Sequence, residues 1–157
     1  WLKARRCSPA VAVSAMAPKS KAEVLADLGM QCFKDGDSAK SIGFLEKAAA
    51  LLESEPSNLL LVTVLTNLGV AHTVQQDLAS GAACLERALK VQREELGEDH
   101  PDIVGTLQNL TVVHSKLGDV TRAAECMHQA GELEHRLKLT ASGTASDAEP
   151  KIVEIES

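Results

Sequence analysis

Two asparagines, two histidines and two cysteines return along this chain at a single spacing. Asn67 and Asn109, His72 and His114, and Cys84 and Cys126 each stand 42 residues apart. Histidine and cysteine are zinc ligands, but every ligand of one ion must lie about 2.0–2.3 Å from it. Equivalent sites in neighbouring packed helices are at least about 8–10 Å apart, so these pairs are poorly placed to converge. They read as core or boundary residues. His128 and His135 lie seven residues apart and lack the His-Glu-x-x-His spacing; they read as a solvated face. No glycine-rich phosphate loop and no Gly-x-Ser-x-Gly elbow is present. The acid pairs Glu94-Glu95 and Glu98-Asp99 fall at helix ends and loops, the ordinary place for acids. No metal ligand, cofactor or catalytic residue is assigned, and an enzyme is not expected. The asparagines invite a different chemistry. An amide offers both a donor and an acceptor, so a ladder of amides can hold the main chain of an extended peptide without reading its side chains. The competing reading is that they cap or brace neighbouring helices.

The elements that carry these residues form an internal repeat. Leu68 returns as Leu110, Ala82 as Ala124 and Ala88 as Ala130 at the same offset as the pairs above. Leu28-Gly29 begins a weaker third copy that continues through Leu45 and Ala48. Such self-similarity marks a repeat architecture.

The chain has 157 residues, 45% apolar but 2% aromatic, with a net charge of −6. The core must be built from Leu, Ala, Val and Ile, a palette that lets helix backbones approach closely. No apolar run reaches the roughly 18 residues of a membrane helix, so no membrane insertion is expected. The acidic balance argues against wrapping a nucleic-acid backbone. Cys7, Cys32, Cys84 and Cys126 are read as free thiols in a reducing compartment.

Residues 1–19 form a basic segment, expected to be poorly ordered. Met16 is either the initiator behind an extended gene model, or residues 1–15 form a transit peptide with Val13-Ser14-Ala15 as a cleavage-like run. The first reading places the protein in the cytoplasm, the second in a mitochondrion or plastid. Helical spacing then predicts six helices. They run Ser20 to Lys34, with Val24, Leu25, Leu28 and Cys32 in phase and a Ser20/Glu23 capping box, and Ser38 to Ser54, with Ile42, Leu45, Ala48, Ala49 and Leu52 inward. Glu55-Pro56-Ser57 breaks the second. Asn58 to Gln75 is the third, with Leu61, Val64, Leu65, Leu68, Ala71 and His72 buried. Ala79 to Leu96 is the fourth, with Ala82, Leu85, Ala88, Leu89 and Gln92 in phase. Pro101 to Leu117 is the fifth, and Val120 to Leu139 the sixth, with Ala123, Ala124, Met127, Ala130 and Leu133 on one stripe. Residues 140–157 form a flexible acidic tail, with Thr140 to Pro150 as linker and Lys151 to Ser157 as a short strand or loose end.

Three helix pairs with small residues at fixed sites resemble tetratricopeptide repeats. The first helices carry Leu28-Gly29-Cys32, Leu68-Gly69-His72 and Leu110-Thr111-His114. Turn glycines fall at Gly36 and Gly118, with Gln76 between them. The second helices carry Ser41-Leu45-Ala48, Gly81-Leu85-Ala88 and Ala123-Met127-Ala130. The units, about 20–56, 57–98 and 99–139, are longer than the usual repeat of about 34 residues. Leu96-Gly97-Glu98-Asp99-His100-Pro101-Asp102 followed by Thr106-Leu107-Gln108-Asn109-Leu110 resembles the extended repeats of kinesin light chains. The aromatic usual at the tyrosine site is absent. The resemblance implies an all-α fold, a right-handed superhelical stack of three antiparallel helix pairs.

In such a stack the first helix of each pair lines the concave face. The resemblance therefore implies a peptide-binding face with the column Asp27, Asn67, Asn109, joined by Thr63, Thr66, Val70, Gln108, Val112 and Lys116. Some relatives grip a chaperone's C-terminal carboxylate with a lysine, asparagine and arginine clamp. Asn67 matches one clamp site, but the lysine and arginine sites read Ala26, Gly105 and Asn109, so that partner class is not expected. Repeat stacks usually end in a capping helix, and no amphipathic stretch of that length follows Leu139. Met127 and Leu133 are therefore expected on an exposed face of the last helix. That face would pack on a partner, a second copy (self-association), or the chain's own Ile152-Val153-Ile155. The functional expectation is a non-catalytic adaptor that binds a peptide or protein segment of unnamed identity on its concave face. The alternative is a structural accessory subunit of a larger, perhaps organellar, complex.

Overall fold

Within each repeat, the turn between the two helices is closed in the same way. At the end of the first helix, the N–H of Asp37, Asp77 or Asp119 donates to the carbonyl of Cys32, His72 or His114, at 2.9, 3.0 and 3.0 Å. The residue before it donates three residues back, to Phe33, Thr73 or Ser115. This double bond pattern ends a helix on one residue with positive φ. Gly36, Gln76 and Gly118 supply it, at φ 84°, 65° and 77°. Each aspartate then caps the following helix, accepting from the N–H of Lys40, Ser80 or Arg122 at 3.1, 3.2 and 3.1 Å. Hydrogen bonds from the Lys40 and Ser80 side chains first, and these backbone N–H bonds second, hold the Asp37 and Asp77 carboxyls below the usual carboxylate range.

The computed structural model describes residues 19–54 and 59–143. The helices are α1 (Lys21–Lys34), α2 (Ser38–Leu52), α3 (Leu59–Val74), α4 (Leu78–Leu96), α5 (Asp102–Leu117) and α6 (Val120–Gly143). Among the described residues there is no strand. The readings of residues 1–18, of Glu55-Pro56-Ser57 and of the tail from residue 144 lie outside the described residues. The Ser20/Glu23 capping box forms, with the Ser20 hydroxyl accepting the Glu23 N–H at 3.2 Å and the Glu23 carboxylate accepting the Ser20 N–H at 2.6 Å.

Consecutive helices pack together, and tight turns between closely packed partners make each pair antiparallel. The first helices α1, α3 and α5 also approach their counterparts, whereas α2, α4 and α6 do not approach one another. First helices crowd and second helices spread, which gives the stack an inner and an outer side. On the outer side long side chains bridge the gaps. Arg87 meets Glu53 at 2.7 Å, Arg122 meets Glu86 at 3.4 Å and Arg93 meets Gln129 at 3.2 Å. Exposed pairs like these stabilise by no more than about 1 kcal/mol each.

The core is two apolar clusters. One joins α1, α2 and α3 around Ala26, Leu45, Leu52 and Leu65. The other joins α4, α5 and α6 around Leu85, Leu107, Leu110 and Leu133. Aliphatic residues fill both, as the near-absence of aromatics requires.

The structure corrects several expected faces. On α1 it is Ala22, Ala26 and Gly29 that are buried, while Val24 and Leu28 are each 44% exposed. Small residues mark the contact face there because α2 comes close, and the larger ones flank it. On α6, Ala123, Ala130 and Leu133 point inward, while Ala124 and Met127 are exposed. Leu133 does not belong to an exposed interface: it is 2% exposed and packed in the cluster with Ile103 and Leu107. The last helix also runs four residues past Leu139, because nothing in Thr140-Ala141-Ser142-Gly143 forbids helical backbone. His72 is half-buried rather than core.

Candidate functional site

The inner side carries an open groove of about 410 Å³ between α3 and α5. Thr63, Thr66 and Asn67 form its α3 wall. Asp102, Gly105, Thr106 and Asn109 form its α5 wall, and Gln92 reaches in from α4. The walls share a face because Thr63, Thr66 and Asn67 are spaced three and four apart, as are Asp102, Thr106 and Asn109. The leucines between them face the core. Gly105 presents no side chain, and a Cβ there would meet open space.

Four of the residues expected on the concave face meet in this groove: Thr63, Thr66, Asn67 and Asn109. The others do not line it. Asp27 forms an ion pair with Lys19. Gln108 turns toward α6, where its amide nitrogen donates to Glu134 at 3.4 Å. Val70 is half-buried, and Val112 and Lys116 are exposed further along the helices. Among the described residues, neither the Asn67 nor the Asn109 amide has a hydrogen-bond partner.

Sequence reasoning missed three residues here. Asp102 and Thr106 open α5, and Gln92 was grouped with the α4 core. A signal for Gln92 was present: it is the one polar member of the stripe Ala82, Leu85, Ala88, Leu89, Gln92, and Leu52 holds the equivalent place in the first repeat. Gln92 is 4% exposed, and its Nε2 donates to the Asp102 carbonyl at 3.4 Å. Its Oε1 is buried without a partner.

The remaining reactive side chains do not assemble. Among the described residues, no three His, Cys, Asp or Glu side chains converge to hold a metal ion. His72 sits 3.4 Å from Asp77. His114 is 3% exposed, with Nε2 3.7 Å from Glu86. Cys32, Cys84 and Cys126 are free, and burial pushes the Cys84 and Cys126 thiols above their ordinary pKa. No described helix is long and apolar enough to cross a membrane.

A family model described as tetratricopeptide repeat matches residues 60–133. No curated protein sequence matches the chain. Among solved structures, BtubC (BKLC) from P. vanneervenii superposes with a TM-score of 0.67 at 21% identity, over 87% of this chain and 52% of that one. A Podosopora anserina protein described as a candidate kinesin light chain with nearly identical TPR-like repeats gives 0.63 at 17% identity, over 73% and 56%. The N-terminal domain of stress-induced protein-1 (STI-1) from C. elegans gives 0.60 at 22% identity, over 74% and 91%. The chain thus spans about half the length of the first two. At these identities the likeness is one of fold. Repeats of this kind serve in general as protein-interaction modules rather than catalysts. The match to a tetratricopeptide-repeat model spans residues 60–133, and the fold is like that of solved proteins with TPR-like repeats, kinesin-light-chain-type repeats among them.

Proposed function

We propose that the chain is a non-catalytic adaptor that holds an extended segment of a partner protein in the α3–α5 groove. One observation carries the reading. Asn67 and Asn109 hold equivalent places in consecutive repeats and line the same groove, and among the described residues neither amide has a hydrogen-bond partner. Two such amides offer donors and acceptors at intervals along a main chain. The groove is open to solvent, which suits an extended segment better than a small molecule enclosed on all sides. The three free thiols fit a reducing compartment such as the cytosol.

The test is affinity purification with mass spectrometry on the wild type and on Asn67→Ala/Asn109→Ala. The double variant should keep its helical circular dichroism and lose the proteins that the wild type captures. An unchanged set of partners in fixed stoichiometry would overturn the adaptor reading and favour an accessory subunit of a stable complex.

A further inference from the structure

Resting on the reading of this groove as a peptide site, we propose that it accepts a lysine or arginine side chain of the bound segment. On its α4 and α3 sides Gln92, Thr63 and Thr66 each give a proton to a backbone carbonyl and keep acceptor lone pairs. Gln92 gives its Nε2 proton to the Asp102 carbonyl, and its buried Oε1 has no partner. That carbonyl also fixes the amide's orientation, since a reversed amide would set two oxygens against each other. Thr63 and Thr66 donate their hydroxyl protons to the carbonyls of Leu59 and Val62, at 3.4 and 2.9 Å. Their lone pairs remain for a ligand. A buried acceptor without a donor carries a desolvation penalty that an incoming donor relieves.

Among the described residues, Asp102 is the one charged residue lining the groove. The His100 Nδ1 accepts the Asp102 N–H at 3.2 Å and lies 3.7 Å from the Asp102 carboxylate. A lysine ammonium brings three donors and an arginine guanidinium five, and neither brings an acceptor. The net charge of −6 also favours the approach of a basic segment.

The competing ligand is an anion, because α5 begins here and helix N-termini attract negative charge. The first N–H groups of α5 are already taken. Asp102 donates to His100 Nδ1, Ile103 to the His100 carbonyl at 3.1 Å and Val104 to the Pro101 carbonyl at 3.1 Å. Asp102 itself balances what partial positive charge remains. A carboxylate entering at the Gln92 and Asp102 side of the groove would meet a carboxylate and the unpaired Gln92 oxygen, leaving the Asn67 and Asn109 amides for the main chain of the segment.

The test is a display selection of randomised seven-residue peptides on the full chain, on Asp102→Asn and on Asn67→Ala/Asn109→Ala. Asp102 is exposed and the asparagine keeps its shape, so Asp102→Asn should fold as the wild type does, which circular dichroism checks. Lysine or arginine should dominate one peptide position on the wild type. Peptides carrying it should bind Asp102→Asn about tenfold more weakly. Their counterparts with glutamine at that position should bind both proteins alike. Peptides that need Asn67 and Asn109 but show no basic preference, or an acidic one, would overturn this inference and leave the proposed function standing. Binding indifferent to Asn67→Ala/Asn109→Ala, or no enrichment at all, would overturn both.

Discussion

Gly69 leaves room for Leu85. A Cβ built on Gly69 would lie 2.7 Å from Leu85 Cγ and 3.0 Å from the Gly81 carbonyl oxygen. Real contacts are not that short, so α3 and α4 cross at this distance only because position 69 has no side chain. Leu85 is 0% exposed and cannot swing into solvent without leaving a hole. Gly29 and Leu45 stand in the same relation one repeat earlier, again at 2.7 Å. Gly69→Ala should therefore destabilise the protein by about 1–3 kcal/mol through overpacking, despite alanine's better helix propensity. Chemical denaturation measures it. Leu85→Ala in the same chain should make the alanine at position 69 less harmful, giving a non-additive double-mutant cycle.

The half-buried thiols of Cys84 and Cys126 make a pH prediction. Burial disfavours the thiolate, so the pKa of Cys84 and Cys126 lies above the ordinary thiol value of 9.0. The thiolate is the reactive form. At pH 8 both should alkylate with iodoacetamide more slowly in the folded chain than in guanidinium. Their folded-state rates should still be rising at pH 9, where an unperturbed thiol is half ionised. Peptide mass spectrometry resolves the sites. A rate that levels off below pH 9 in the folded chain would contradict the burial.

Much of this fold was legible because helix packing by small residues writes its period directly into the chain. Gly29, Gly69, Ala48, Ala88 and Ala130 recur where backbones meet, and the α4 stripe through Leu85, Ala88 and Leu89 is buried as its spacing implies. The α1 face was misread for a related reason: hydrophobic periodicity weights large residues, so it favoured Val24 and Leu28 over Ala22 and Ala26. The groove was half legible. Asn67 and Asn109 declare themselves by repetition. Gln92 and Asp102 do not repeat, and they come together only because the α4–α5 connection folds back on the start of α5. No spacing within one helix reports that contact.

Gln76 occupies the turn site that glycine fills in the other two repeats, with φ 65°. A residue with a Cβ pays roughly 1–2 kcal/mol for this left-handed conformation. Glycine would remove that strain but gains entropy in the unfolded chain, about 0.5–1 kcal/mol in the opposite sense. Gln76→Gly should therefore stabilise modestly, raising Tm by a few degrees. Gly36→Gln and Gly118→Gln, at φ 84° and 77°, should lower it. Calorimetry on the three variants tests the turn in each repeat separately.

The third crossing departs from the other two. Thr111 stands where Gly29 and Gly69 stand, and its hydroxyl donates to the Leu107 carbonyl at 2.9 Å. Met127 stands where Leu45 and Leu85 stand, yet it is 64% exposed. A Cβ at the equivalent Gly69 would meet Leu85, so the Thr111 side chain is expected to fill that space and leave the flexible, unbranched Met127 outside it. The two substitutions should then depend on each other. Met127→Leu alone should change stability little, within about 0.5 kcal/mol as for other surface positions, because Thr111 still blocks the site. Thr111→Gly alone removes the obstacle but adds a helix-interior glycine, which lowers stability. Together they should rebuild the Gly69–Leu85 crossing and bury a leucine, a gain of about 1.5–3 kcal/mol before the glycine penalty. A double-mutant cycle by urea denaturation should therefore show favourable coupling. Strict additivity would mean that Met127 is exposed for a reason other than Thr111.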